Sequence, residues 1–379
     1  MARRRLDSFG VAMALAAVVM VFPLAAAPAL GQAAGTTAWG RPDLEGIWLD
    51  VYDTPLERAP ELGDREFATA EERAARDDAR RFDPGRNIRG PRGSAQDVSG
   101  AYNAVFSSAK PAGPRTSLVV DPPNGRIPAL TPEARREEEI KRDWRVMLMR
   151  NTPTCEQQAP GCEGGEYGPV SPRRFDLPPF YNTLRMNRHD GPEDQSLGDR
   201  CMLGATPDLN GFRRIVQGED AVAIAYDTGQ GQGYQRIVNL SGGHPSSRVR
   251  LRHGDSRGRW EGDTLVIETT NFSPKFPFRG SSVNRRLVER YTVVDADTLS
   301  YEVTIEDPTV WTAPWTVRQE LKRQSDQQNR IYYEPRCHEG NYGLAAMFIA
   351  HRIREQEFAA GRGPDPFSLD TTTGGGGAR

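Results

Sequence analysis

Beyond residue 31 the chain has no apolar run long enough to span a bilayer. It has no C-x-x-C or closely spaced histidine pair for a zinc site. A Gly-x-Ser-x-Gly elbow and a phosphate-binding glycine loop in strand–helix context are also missing. An excess of one charge is lacking too: 49 Lys+Arg stand against 51 Asp+Glu, a formal −2 over 379 residues. That balance gives no reason to expect nucleic acid or anionic lipid as a partner. Lysine is nearly absent, at 110, 141, 275 and 322 alone, so arginine supplies the other 45 of the 49 cations. This bias is compositional and carries no functional weight. No cofactor or metal is expected.

What is present begins with a secretory leader. Arg3, Arg4 and Arg5 form a basic n-region, residues 11–30 an apolar stretch, and Ala29-Leu30-Gly31 a small-residue exit. A membrane anchor is the competing reading, since that stretch is long enough to span. Pro23 and the alanine-rich second half favour cleavage, leaving a mature chain of charge −4 in the periplasm or outside the cell, with no membrane insertion afterwards. Export places four cysteines in an oxidising space, where an even count points to disulfides. Cys155 and Cys162 can close a small ring in a Gly/Pro-rich loop, which leaves Cys201 with Cys337.

Four segments are expected: a signal peptide at 1–31, an irregular extension with two helices at 32–200, a β-barrel domain with a closing helix at 201–360, and a disordered tail at 361–379. In the extension, Thr69 and Glu72 form a capping box before a charged helix ending near residue 82. Thr131 caps a second helix with Pro132 at its first position, running to about Met149. Residues 116–120 form a short strand ended by a Pro-Pro-Asn-Gly turn, and Trp48 opens a first strand of the fold. From 201 onward, strands are expected at 215–216, 221–226, 235–240, 264–270, 287–294, 299–305, 316–321 and 331–336, each bounded by turn residues. Alternation is clearest at Leu299, Tyr301, Val303 and Ile305, which should face the core. The fold class is therefore mainly β, an antiparallel lipocalin-like barrel or a sandwich, with a helix at about 343–358 capped by Asn341.

The segment from Gly254 to Val266, reading GDSRGRWEGDTLV, is followed by Thr270-Asn271-Phe272, and resembles the signature of a large family of secreted bacterial proteins of unassigned function. Arg115 to Pro123, Val288-Glu289-Arg290-Tyr291, Glu306-Asp307-Pro308, Trp315-Thr316 and Cys337-His338-Glu339-Gly340-Asn341-Tyr342-Gly343 extend the resemblance. It implies an exported protein with a β-rich domain and no particular reaction. Arg252 and His253 depart from the Trp and apolar residue usual before the Gly-Asp-Ser, so His253 is not taken as a family site residue, and the Cys155/Cys162 loop looks like an insertion.

Chemistry concentrates in residues 337–342, where a strand end meets a helix start. His338 and Glu339 are the candidate catalytic pair, with Asn341 and Tyr342 beside exposed N–H groups that can hold an anion. The plain structural reading makes Cys337 a staple, Asn341 a cap and His338 a packing residue. Trp311 and Trp315 are candidate ring-stacking residues. Glu268, Glu289, Glu302 and Glu334 are acids within strands; one facing the barrel interior would be raised in pKa or paired with arginine. Of these Glu268 is the ligand-binding candidate, while Glu302 should face solvent. His253, Asp255 and Ser256 are too close in one turn to form a catalytic triad. The leading expectation is an exported barrel that binds a small apolar or aromatic molecule. The alternative is a cofactor-free lyase, isomerase or hydrolase using His338 and a carboxylate. A third reading has residues 32–200 dock the barrel to an envelope protein.

Overall fold

The computed structural model describes residues 35–81, 110–149, 189, 191–195, 200–202, 204–209, 212–229, 232–324, 342–362 and 366. The strands are β1 Gly46–Asp50, β2 Val119–Asp121, β3 Phe212–Gln217, β4 Ala221–Gly229, β5 Gln232–Asn239, β6 Asp255–Glu261, β7 Thr264–Thr270, β8 Arg286–Asp295, β9 Thr298–Glu306 and β10 Trp315–Arg323. The helices are α1 Ala70–Arg81, α2 Pro132–Met149 and α3 Tyr342–Ala359. β3 to β10 pair in sequence order, and β1 pairs with both β3 and β10, so nine strands close into a barrel. This is the mainly β barrel expected, with the C-terminal helix in place. Among the described strands one seam is parallel: β5 meets β6 through only Val238↔Ser256 and Asn239↔Arg257. β2 adds to β10 at Thr316 and Val317, beyond the stretch that β1 covers.

Local sequence explains most elements. The Glu72 amide donates to Thr69 Oγ1 at 3.2 Å and the Thr69 amide to the Glu72 carboxylate at 2.9 Å, a closed capping box at the start of α1. Thr131 Oγ1 accepts from the Ala134 amide at 3.2 Å at the start of α2. In β9, Leu299, Tyr301, Val303 and Ile305 are all buried, as their alternation requires. The same phase puts Leu265 and Ile267 of β7, Leu287 and Tyr291 of β8, and Trp315, Val317 and Leu321 of β10 in one continuous core.

The structure departs from the expected layout in two places. The barrel is not confined to 201–360, because Trp48 and Asp50 of β1 turn inward and the strand closes the ring between β3 and β10. Residues 255–261, where no strand is expected, form the full strand β6; its charged outer residues and central glycine hide the alternation. The expected strand at 331–336, the cysteines at 155, 162 and 337, and the Asn341 cap lie outside the described residues, as do nearly all of those expected in the tail.

Gly258 shows why this strand carries a glycine. A Cβ there would stand 2.7 Å from both Leu240 Cδ2 and Val238 Cγ1, inside the barrel. Gly258→Val should therefore cost about 1–3 kcal/mol through overpacking, read as a lower midpoint in urea unfolding. An unchanged midpoint would contradict the inward placement of this position.

Candidate functional site

The barrel interior is not uniformly apolar. Arg213 on β3, Tyr226 on β4, Arg236 on β5, Glu289 and Tyr291 on β8, Tyr301 on β9 and Gln319 on β10 are all buried, each in phase with the apolar inward residues of its strand. Arg236 and Glu289 form a two-bonded ion pair at 2.6 and 2.7 Å. Tyr301 donates its hydroxyl to the same carboxylate at 2.9 Å, and Arg236 donates to Tyr226 Oη at 2.8 Å. The Arg236 guanidinium also donates to Thr269 Oγ1 at 3.2 Å and Ser256 Oγ at 3.3 Å. Burial opposes the charge on Arg236, but the Glu289 carboxylate more than offsets it and holds the guanidinium firmly protonated. Burial pushes the Tyr226 and Tyr301 phenols well above their usual range, so both remain neutral donors.

Arg213 lies flat over Tyr301, 3.9 Å from the ring centre. Its Nη2 donates to the Asp208 backbone carbonyl at 2.5 Å and to Gln319 Oε1 at 3.3 Å, while Nε and Nη1 have no hydrogen-bond partner among the described residues. Residues 204–209 cross this end of the barrel as a strap. Tyr234 donates to the Ala205 carbonyl at 2.8 Å, Gln319 to the Leu209 carbonyl at 2.8 Å, and Thr206 Oγ1 meets His253 Nδ1 at 3.0 Å. Gly204 lies against the Tyr234 ring, where a Cβ would come within 2.4 Å of it.

Tyr226, Tyr234 and His253 stack in a column, with ring centres 4.6 and 3.7 Å apart. Burial first, then the positive charges of Arg252, Arg236 and Arg285, push the His253 pKa down to about 3. Its Nε2 is buried with no partner among the described residues. Arg285 stacks on Phe272 at 3.9 Å and donates to the Ser281 carbonyl at 3.0 Å, and burial lowers its pKa to about 10 despite the nearby Asp307. These side chains form one buried, ring- and arginine-rich cluster beside a strap held by polar contacts. It can present donors to oxygen atoms and aromatic faces to a ring. Among the described residues no group of three or more His, Cys, Asp or Glu side chains is placed to hold a metal ion.

The candidates chosen from sequence fall in several places. Among the described strand acids, Glu289 faces inward and pairs with arginine. Glu268 lies on the outer face, bound to Arg286 at 2.9 Å, and Glu302 on the outer face is bound to Arg318 at 2.7 Å. Trp311 and Trp315 are buried and pack edge to face, with centres 5.5 Å apart, as core residues. Tyr342 is 96% exposed. His338, Glu339, Asn341 and Glu334 lie outside the described residues. As the close spacing required, no triad forms at 253–256: Asp255 binds His244 at 2.6 Å and Arg257 at 2.8 Å, and Ser256 Oγ meets Thr269 Oγ1 at 3.0 Å inside the barrel. The arginines of the cluster were missed. Their signal was phase, since Arg213 alternates with Ile215 and Gln217, and Arg236 with Tyr234 and Val238.

No protein-family model matches the chain, and no curated protein matches its sequence. Among solved structures it is similar to a secretary abundant heat soluble (SAHS) protein from Ramazzottius varieornatus, at 16% identity. That match covers 30% of this chain and 70% of that one, with a TM-score of 0.21. The barrel assignment stands on the strand pairing.

The His253 shift has a measurable consequence. Native His253 refuses a proton that the unfolded chain accepts near pH 6.5. Stability that is intact above about pH 6.5 is therefore lost as pH falls toward 3, by up to about 1.4 kcal/mol per pH unit. His253→Gln should remove this component, so the variant gains on the parent between pH 7 and 4.5 in urea unfolding. A pH-independent difference would mean that His253 titrates normally.

Proposed function

We propose that this chain is an exported binding protein whose barrel takes a small ring-bearing molecule at the cluster beside residues 204–209. A closed barrel is suited to holding a ligand at its mouth. The observation that carries the reading is the set of buried polar atoms without hydrogen-bond partners among the described residues, at Arg213, Arg236, Arg285 and His253, within one cluster of buried aromatic rings. Buried polar groups are ordinarily hydrogen-bonded, and a ligand with acceptor atoms would meet that need. The ring column of Tyr226, Tyr234 and His253 favours an aromatic ligand over an aliphatic one. Acid–base chemistry is less favoured here, because an imidazole with a pKa of about 3 is a poor proton acceptor near pH 7. The leader, the Cys201–Cys337 and Cys155–Cys162 bridges, and membership of the secreted family with the GDSxGxWEGDTLV motif belong to the same proposal.

A thermal-shift and calorimetry screen of aromatic metabolites against the purified mature chain tests it. Hits should lose affinity at least about tenfold, or 1.4 kcal/mol, in Tyr234→Leu. If no ring compound binds, or if Tyr234→Leu binds unchanged, the cluster is not the site. His338→Ala separates the enzyme reading: turnover lost at an unchanged Tm would make His338 catalytic, and a lowered Tm with intact binding would make it a packing residue.

A further inference from the structure

Resting on that reading, we propose that the ligand is a small organic acid, whose carboxylate takes the place that Asp208 and its strap now occupy against Arg213. Three donors rooted in three different strands converge on three successive features of the strap. Tyr234 of β5 holds the Ala205 carbonyl, Arg213 of β3 the Asp208 carbonyl, and Gln319 of β10 the Leu209 carbonyl. The strap thus presents a row of oxygen acceptors to these donors, carried by a segment whose one ionisable side chain, Asp208, is acidic and buried.

A molecule that displaces this segment has to replace what the segment supplies. Arg213 is 2% exposed and permanently charged, and two of its nitrogens are already without partners while the strap is in place. Moving the strap away removes the carbonyl at 2.5 Å and the nearby Asp208 charge together. Four other buried carboxylates are committed: Glu289 to Arg236 and Tyr301, Asp307 to Ser281 and Thr309, Asp255 to His244 and Arg257, and Asp50 to the Tyr52 amide and, at 3.5 Å, to Lys110 and Gln319. A neutral ligand would leave a buried guanidinium without a counter-charge, a costly state. A carboxylate restores both the charge and the oxygen acceptors, through charge-assisted bonds stronger than those to a neutral carbonyl. Leu209, packed against the core on the same strap, is the apolar part that a ring would replace.

The test uses matched pairs on the mature chain: benzoate, 4-hydroxybenzoate and indole-3-acetate, each against its primary amide, by ligand-observed NMR and calorimetry. The acids should bind at least about tenfold more tightly than the amides. Asp208→Asn, which weakens the strap's hold on Arg213, should raise acid affinity several-fold and leave the amides unchanged. Arg213→Gln should abolish the acid preference; if that variant does not fold, the acid–amide comparison on the parent and on Asp208→Asn decides alone. Equal binding of acids and amides overturns the carboxylate inference while the ring-binding reading stands. Failure of every compound to bind overturns both.

Discussion

The ion pair between Arg236 and Glu289 sits where the barrel is weakest. Eight of the nine seams around the ring are antiparallel ladders, but β5 and β6 share only two parallel residue pairs. Arg236 projects from β5 and reaches over that seam to Ser256 on β6, Thr269 on β7 and Glu289 on β8. Tyr226 of β4 and Tyr301 of β9 complete the set, so side chains from six consecutive strands meet around one pair of charges. Burying two ions costs several kcal/mol each, and the pair offsets this through its geometry and the surrounding donors. An apolar core of equal volume could be as stable. What the polar cluster adds is register, because each bond is satisfied in only one alignment of the strands.

The same cluster shapes the mouth. With Glu289 held by Arg236 and Tyr301, Arg213 donates to no carboxylate among the described residues, and it bonds instead to the Asp208 carbonyl of the strap and to Gln319. Burial first, and then the neighbouring arginines, keep His253 neutral, so its ring stacks on Tyr234 without carrying charge. Core and candidate site are therefore one electrostatic system. The alternating charges on the outer face, such as Glu268–Arg286, Arg318–Glu302 and Arg290–Glu261, are exposed pairs that contribute little to stability.

Much of this architecture is local and legible in the sequence. The β9 alternation, the Thr69–Glu72 capping box and the Thr131-Pro132 helix start each need only a few neighbouring residues, and each forms as read. β6 was illegible because its inward positions are Ser256, Gly258 and Trp260, with one small and one absent side chain where an apolar run is sought. Membership of β1 in the barrel depends on pairing with residues more than 160 positions away, which no local pattern encodes. For the site, the sequence marks Glu289 as a strand acid that faces inward only with an arginine partner. Which arginine remained hidden, since in a chain with 45 of them only strand phase singles out Arg213 and Arg236.

If Arg236 and Glu289 hold the weak seam closed, breaking the pair should loosen that seam before the rest. Native-state hydrogen exchange on Glu289→Gln measures this directly, amide by amide. The account predicts that β5 and β6, at Val238, Asn239, Ser256 and Arg257, lose protection well ahead of the β8–β9–β10 ladders. Uniform loss of protection across all strands, or none at the β5–β6 seam, would contradict it.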